Sequence, residues 1–389
     1  MKRIVFDLTK TQPINEIKFH GGAKYGIAIF KKLADIAPEK IVGYYDESKY
    51  IDESIIDICN SKNILMEKKE NSSIIDVTKK NGGILYSPLF HSAYLTDETL
   101  RIIVTIHGLR VLELPYDENE VLYKQFFLKK LKFVQNIYKF LLNRKRQKEY
   151  FRNLAFHRKS LGKANLSFVT VSNHSKYSLH TFIPQINPSE IKVFFSPSTI
   201  DDSISMGTES KNYGKYYLIV SGNRWIKNSA RAINALDELF SEHPELSGNV
   251  VITGIKHRSE ISIDLNNAER FHFLGYVNES KLKELYHNAY LFVYSSLNEG
   301  FGYPPLEAMH EGCPVIASAI ASIPEICDNA VMYFNPYSIA EIKMRILQME
   351  NKDIRNEYIT KGYKRESFIR EKQDKDLEKL AYYILSFLE

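Results

Sequence analysis

The chain has 389 residues, 44% hydrophobic and 25% charged; this points to two or three globular domains and excludes collagen-like, low-complexity and intrinsically disordered classes. Its three cysteines, Cys59, Cys313 and Cys327, are odd in number and contain no C-x-x-C pair, so neither a disulfide framework nor a zinc site fits. The net charge of +5 is unevenly spread, because Lys124 to Lys163 holds thirteen Lys or Arg against one acid, Glu149.

The first residues, MKRIVFDLTK, carry only a short apolar stretch broken by Asp7, too brief for a signal-peptide core. No later stretch is apolar over a membrane-spanning length, and a cytoplasmic protein is expected. Short apolar runs then alternate with amphipathic stretches, the pattern of parallel α/β sheets. Strands are predicted at 4–8, 41–45, 84–87, 102–106, 168–172 and 191–195, with helices at 25–35, 74–80 and 175–182. The polar, Ser-rich stretch from Ser196 to Gly214 reads as a linker. Beyond it strands are predicted at 217–221, 250–253, 271–274, 291–294, 315–317 and 331–334, with helices at 230–242 and 279–288. The expected architecture is two doubly wound, Rossmann-like α/β domains facing a central cleft.

Four motifs carry chemistry. In SLNEGFGYPPLEAMHEGCPVIAS, residues 296–318, a strand leads into a glycine loop and then a helix opened by Pro304 and Pro305. Gly300 and Gly302 let the backbone approach a ligand, and the helix N-terminus suits phosphate. Glu307 is expected in the first turn, where its carboxylate can accept from a ribose diol. In SGNRWIKNSARAINAL, residues 221–236, Gly222 leads into a loop flanked by Arg224 and Lys227, a fork and a point charge suited to pyrophosphate oxygens. In TIHGLRVLELP a strand ends at His107, placed for a crevice outside the carboxyl ends of parallel strands. In FHGGAKYGIAIF the pair Gly21 and Gly22 enters a helix, with Lys24 and Tyr25 beside it.

At these residues the sequence resembles glycosyltransferase family 4, retaining enzymes of the GT-B fold that use nucleotide-sugar donors. The family's E-x7-E signature is matched by Glu299 and Glu307 within EGFGYPPLEA. The resemblance implies that Glu307 binds the ribose hydroxyls and that Glu299 faces the donor sugar near its reacting carbon. Gly222, Arg224 and Lys227 resemble the family's donor loop, with WIKN shorter than the commoner spacing, and Gly300, Phe301 and Gly302 complete the donor-binding set. His107 matches a strand-end His that contacts the donor sugar; Gly108 stands where the family often has Asp, so no role of that Asp carries over. Gly21, Gly22, Lys24 and Tyr25 resemble the Gly-rich loop that approaches donor phosphate and acceptor. Glu299, His107, Arg224 and Lys227 are thus the expected catalytic set. The implied domains are 1–200 on the acceptor side, joined by a returning helix at about 376–389, and 201–375 on the donor side.

The implied reaction is transfer of a sugar from a nucleoside diphosphate to a hydroxyl of a glycan or glycolipid in a cell-surface polysaccharide pathway. No cofactor or metal is expected, since Arg224 and Lys227 can supply the positive field that a metal supplies elsewhere. Asp201, Asp202, Asp374 and Asp376 lack the strand-end context of metal-binding aspartates, and Glu325 and Cys313 read as packing or capping residues. Trp225 either stacks on a base or packs the loop. A nucleotide-sugar epimerase and a non-catalytic GT-B binding subunit are the alternatives, the second opposed by Arg224, Lys227, Glu299 and Glu307 all being present. Residues 121–153 read as a basic amphipathic helix with Phe127, Leu131, Val134, Tyr138 and Leu141 on its apolar face. That helix either lies on an anionic membrane surface or packs in the first domain with its lysines solvated. No nucleic-acid-binding motif accompanies the charge.

Overall fold

The computed structural model describes residues 2–13, 21–91, 94, 97–124, 132–163, 165–205 and 212–389. The chain forms two compact units, Met1–Leu109 with Leu154–Thr199 and Arg370–Glu389, and Arg110–Asn153 with Ile200–Ile369. The stretch 110–153, which the sequence places in the first domain, packs with the second. Among the described residues, no helix is long and apolar enough to cross a membrane.

In the first unit the parallel strands are β1 (Ile4–Asp7), β2 (Ile41–Tyr45), β3 (Leu65–Lys68), β4 (Ile84–Ser87), β5 (Arg101–Ile106), β6 (Leu166–Thr170) and β7 (Lys192–Val193). Their order is β3-β2-β1-β4-β5-β6-β7. Ile4 pairs with Ile41 on one side and Ile84 on the other. β1 is therefore buried on both faces, which is why Ile4–Phe6 is apolar without a break before Asp7. The helix Gly21–Ile36 carries the chain back from β1 and buries Tyr25, Ile29, Phe30 and Leu33. β3, not expected from the sequence, is a half-exposed edge strand of sequence LMEK whose charges mask its pairing with β2. The expected terminal helix is the last part of a longer one, Lys352–Leu385. There Asp376 accepts from the Phe195 N–H at 2.9 Å and Gln373 donates to the Ser196 carbonyl at 2.6 Å.

In the second unit β8 (Tyr216–Ile219), β9 (Asn249–Ile252), β10 (Phe271–Phe273), β11 (Leu291–Tyr294), β12 (Val315–Ser318) and β13 (Met332–Phe334) are parallel, in the order β10-β9-β8-β11-β12-β13. All lie where the sequence predicts them, within two residues. The core forms where Ile233, Leu236 and Phe240 of the helix Ser229–Glu242 meet Tyr217, Ile219, Val250 and Ile252 of the sheet. Full burial of each such side chain contributes about 2 kcal/mol. In each sheet the strand order reverses beside its first strand, between β1 and β4 and between β8 and β11. The loops after those strands leave in opposite directions and open a crevice at the carboxyl ends.

Candidate active site

The second unit's crevice is built from the loops after β8 and β11. The first turns through Ser221, at φ 57°, into Gly222, whose N–H donates to the Thr253 carbonyl at 2.7 Å. A Cβ at Gly222 would meet Ile252 Cγ2 at 2.9 Å, so a side chain here would force the loop away from β9. Trp225–Lys227 makes one 3-10 turn, Asn228 adopts the left-handed conformation at φ 57°, and the helix Ser229–Glu242 begins. Ile226 and Lys227 are turned inward while Asn223 and Arg224 stay exposed. The loop after β11 is laced to this turn: Leu297 N–H donates to the Ile226 carbonyl at 2.8 Å, and Ser295 Oγ to the Lys227 carbonyl at 2.9 Å.

That lacing brings two predicted residues together. Lys227 Nζ forms an ion pair with Glu299 Oε1, and Ser296 Oγ donates to the same oxygen at 2.5 Å. The side chains are only 9% and 17% exposed. The Tyr294 ring lies 5.4 Å from the ammonium. Its buried hydroxyl stands beside Glu299, near enough to act on the carboxylate but outside hydrogen-bond geometry. Burial lowers the Lys227 pKa, opposed by the Glu299 charge. For Glu299 burial acts upward, but Lys227 and the Ser296 hydroxyl outweigh it, and its carboxyl is held below the usual value. The result is an ionised carboxylate kept in an almost dry site.

Ser322 Oγ fixes the next turn, lying 2.9 Å from the Glu299 carbonyl and 2.8 Å from that of Phe301. Phe301 is buried, at 5% exposure; Gly300 between them is half-buried. Gly302, at φ 108° with open space where a Cβ would stand, caps the helix Tyr303–His310. Its glycine requirement is conformational rather than steric. Pro304 and Pro305 have no N–H, so of the first four helical residues only Tyr303 and Leu306 carry an amide that can face an anion. Glu307, expected in the first turn, lies in the second because the helix starts at Tyr303. It receives a 3.4 Å hydrogen bond from the buried Tyr286 hydroxyl. The sequence reading missed Tyr294, Ser296 and Ser322; their hydroxyls are ordinary in composition and acquire a role only where the two loops meet.

A cavity of about 370 Å³ adjoins this loop in the second unit, lined by Arg110, Tyr123, Arg146, Tyr150, Arg224 and Trp225 among others. Trp225, half-buried, forms part of its wall. Arg146 is held by Glu120 and Glu149. Among the described residues, no group of three or more His, Cys, Asp or Glu stands together as a metal site would require. Cys313 is buried, and burial pushes its thiol up.

In the first unit His107 follows the end of β5. Its Nε2 lies 2.9 Å from the Pro88 carbonyl, just beyond β4, and since a carbonyl only accepts, that nitrogen carries the hydrogen. Ser175 Oγ donates to the His107 carbonyl at 3.1 Å. Tyr25 packs its ring against the imidazole edge to face, 4.6 Å between centroids, and its hydroxyl meets Thr105 at 3.1 Å. At 1% exposure Tyr25 backs His107 rather than facing solvent. Gly21, Gly22 and Lys24 lie in the first turn of the helix Gly21–Ile36, Gly21 exposed and the other two half-buried.

The chain is similar in sequence to the O-antigen chain mannosyltransferase RfbU of Salmonella typhimurium, 30% identical over 194 residues, 49% of this chain and 52% of that protein. It is also similar to the O-antigen chain mannosyltransferase B of Escherichia coli, 42% identical over 88 residues, 23% of each chain. The chain thus spans about half the length, or less, of these curated relatives. Among solved structures, a glycosyltransferase from Rickettsia africae superposes with a TM-score of 0.65 at 14% identity, covering 100% of this chain and 99% of that one. The two doubly wound units therefore make the GT-B fold, and residues 204–365, which hold Gly222, Arg224, Lys227, Glu299 and Glu307, match the family Glycosyl transferases group 1.

Proposed function

We propose that the chain is a retaining glycosyltransferase of the family 4 type, moving a hexose from a nucleoside diphosphate sugar to a hydroxyl of a glycan or glycolipid in cell-surface polysaccharide assembly. The observation that carries this reading is the Lys227–Glu299 pair at the carboxyl ends of β8 and β11, with the exposed Arg224 on the same loop. Both relatives are mannosyltransferases by name, which makes mannose the first sugar to try. In the reaction the bond from C1 of the sugar to the diphosphate oxygen breaks. The acceptor oxygen bonds to C1 on the same face, and its proton passes to the leaving phosphate. Arg224 and Lys227 offset the charge that builds on the diphosphate, and Glu299, ionised, accepts from sugar hydroxyls. Glu307 is assigned the ribose diol and His107 the donor sugar, with Gly21, Gly22 and Lys24 on the phosphate and acceptor side. No metal is required, and the work is assigned to the cytoplasm.

The test is a thermal-shift panel of GDP-mannose, UDP-glucose and dTDP sugars, followed by turnover and the anomeric configuration of the product by NMR. We expect one donor to raise the melting temperature and to be transferred with retention, and Arg224→Ala to slow transfer by about 2–4 kcal/mol of barrier. Release of no nucleoside diphosphate from any donor in the presence of a glycan acceptor would sink the reading.

A further inference from the structure

The helix Lys132–Leu161 is long because nothing breaks it: no Pro or Gly occurs between Pro115 and Gly162, and Arg158 and Lys159 occupy its last turn. Within its portion in the second unit the two sides differ. At 100° per residue, Leu142, Arg146, Glu149, Tyr150 and Asn153 fall on one side. Leu142 is buried there and the other four line the cavity beside the donor loop. On the opposite side stand Phe133, Ile137, Phe140, Leu141 and Phe151, exposed by 75%, 45%, 59%, 56% and 67%. The sequence places Leu141 on the helix's apolar face, either on a membrane surface or packed in the first domain; in the structure Leu141 is exposed and its neighbour Leu142 is the buried one. Of the other residues named for that face, Val134 and Tyr138 are half-buried, and Phe127 and Leu131 lie outside the described residues.

The exposed side is also cationic. Arg144, Lys148 and Arg152 are interleaved with the apolar residues in an arc of about 120° and a length of about 29 Å. Arg144 lies 5.2 Å over the Phe140 ring. The one acid of this portion, Glu149, is turned to the other side and bound by Arg146 at 2.8 Å. A second copy of the helix would oppose cation to cation, and a nucleic acid offers nothing to Ile137 and Leu141. A surface that is anionic outside and apolar a few ångströms deeper satisfies both sets of side chains.

We propose that this outward face is a docking surface for an anionic lipid bilayer, with Phe133, Ile137, Phe140, Leu141 and Phe151 entering the headgroup boundary and Arg144, Lys148 and Arg152 meeting the lipid phosphates. The proposal rests on one face of one helix and not on the transfer reaction, so it stands or falls separately. The experiment is co-sedimentation of the full chain with phosphatidylglycerol–phosphatidylcholine vesicles and with phosphatidylcholine alone, at rising salt. We expect binding to the anionic vesicles only, weakened by salt. The triple variants Phe133→Ser/Phe140→Ser/Phe151→Ser and Arg144→Glu/Lys148→Glu/Arg152→Glu should each reduce partitioning at least about tenfold. Their far-ultraviolet circular dichroism and melting should be unchanged, because all six positions are exposed. Absence of binding to anionic vesicles overturns the proposal, as does binding that survives both variants. So does a dimer in sedimentation equilibrium that the Phe variant turns into a monomer, since the face then belongs to a second copy.

Discussion

Glu299 and Glu307 stand eight positions apart, yet one is clamped to Lys227 in a dry turn and the other sits on a helix beside Tyr286. Different effects of their removal follow. Glu307→Ala should weaken binding of the free nucleoside diphosphate, whereas Glu299→Ala should lower kcat more than it lowers that affinity, as a contact made mainly in the transition state does. Calorimetric titration beside steady-state kinetics decides between them; equal losses of affinity would contradict the assignment. The same pair sets a pH dependence. Glu299 is held below its ordinary value of 4.5 in the folded chain, so the unfolded chain binds more protons in the interval below it. Its contribution to stability is complete above about pH 4.5 and is lost as the pH falls through the folded value. Melting followed from pH 6 to pH 3 should steepen in that range, and less so in Lys227→Met.

Among the elements, the tie between residues 110–123 and the helix Ser229–Glu242 does most to shape the cavity. Arg231, on the first turn of that helix, donates to both oxygens of Asp117 at 3.1 Å, and both side chains are nearly fully buried, at 7% and 5% exposure. Tyr123 adds a hydroxyl contact to Ser229 at 2.9 Å and accepts from the Ala230 N–H at 2.8 Å. Removing one member of a buried pair leaves the other charge unpaired and costs about 3–5 kcal/mol. Arg231→Ala should therefore lower the melting temperature markedly, while Arg231→Lys, which keeps the charge without the fork, should lose less. An unchanged melting temperature in Arg231→Ala would mean that water already reaches Asp117. Nothing in the sequence marks Asp117 and Arg231 as partners, because 114 positions separate them.

For the whole molecule, the proposed chemistry places positive charge on side chains, so turnover should survive EDTA. Loss of activity restored by Mg²⁺ or Mn²⁺ would show a metal site that the described residues do not reveal. The α/β alternation was legible in the sequence because strands buried on both faces are apolar over most of their length, and Ile4–Phe6 and Leu291–Tyr294 announce themselves by composition alone. The loops after β8 and β11 were legible for a related reason: glycines at 222 and 302 mark backbone that no other residue fits, and charged residues beside them mark chemistry. β3 was not legible, since an edge strand need bury little and LMEK carries the charges of a loop. Nor was the exposed face of the helix Lys132–Leu161, because periodicity tells that a helix has two sides but not which side the rest of the chain covers. The sequence by itself determined every strand but β3, their alternation with helices along the chain, and the glycines and charged residues of the two loops. Only the tertiary structure decided that Lys227 meets Glu299, that Tyr25 backs His107 and that Leu142 rather than Leu141 is buried. Those outcomes depend on which loops and faces are brought together across long sequence separations, and local patterning carries no record of that.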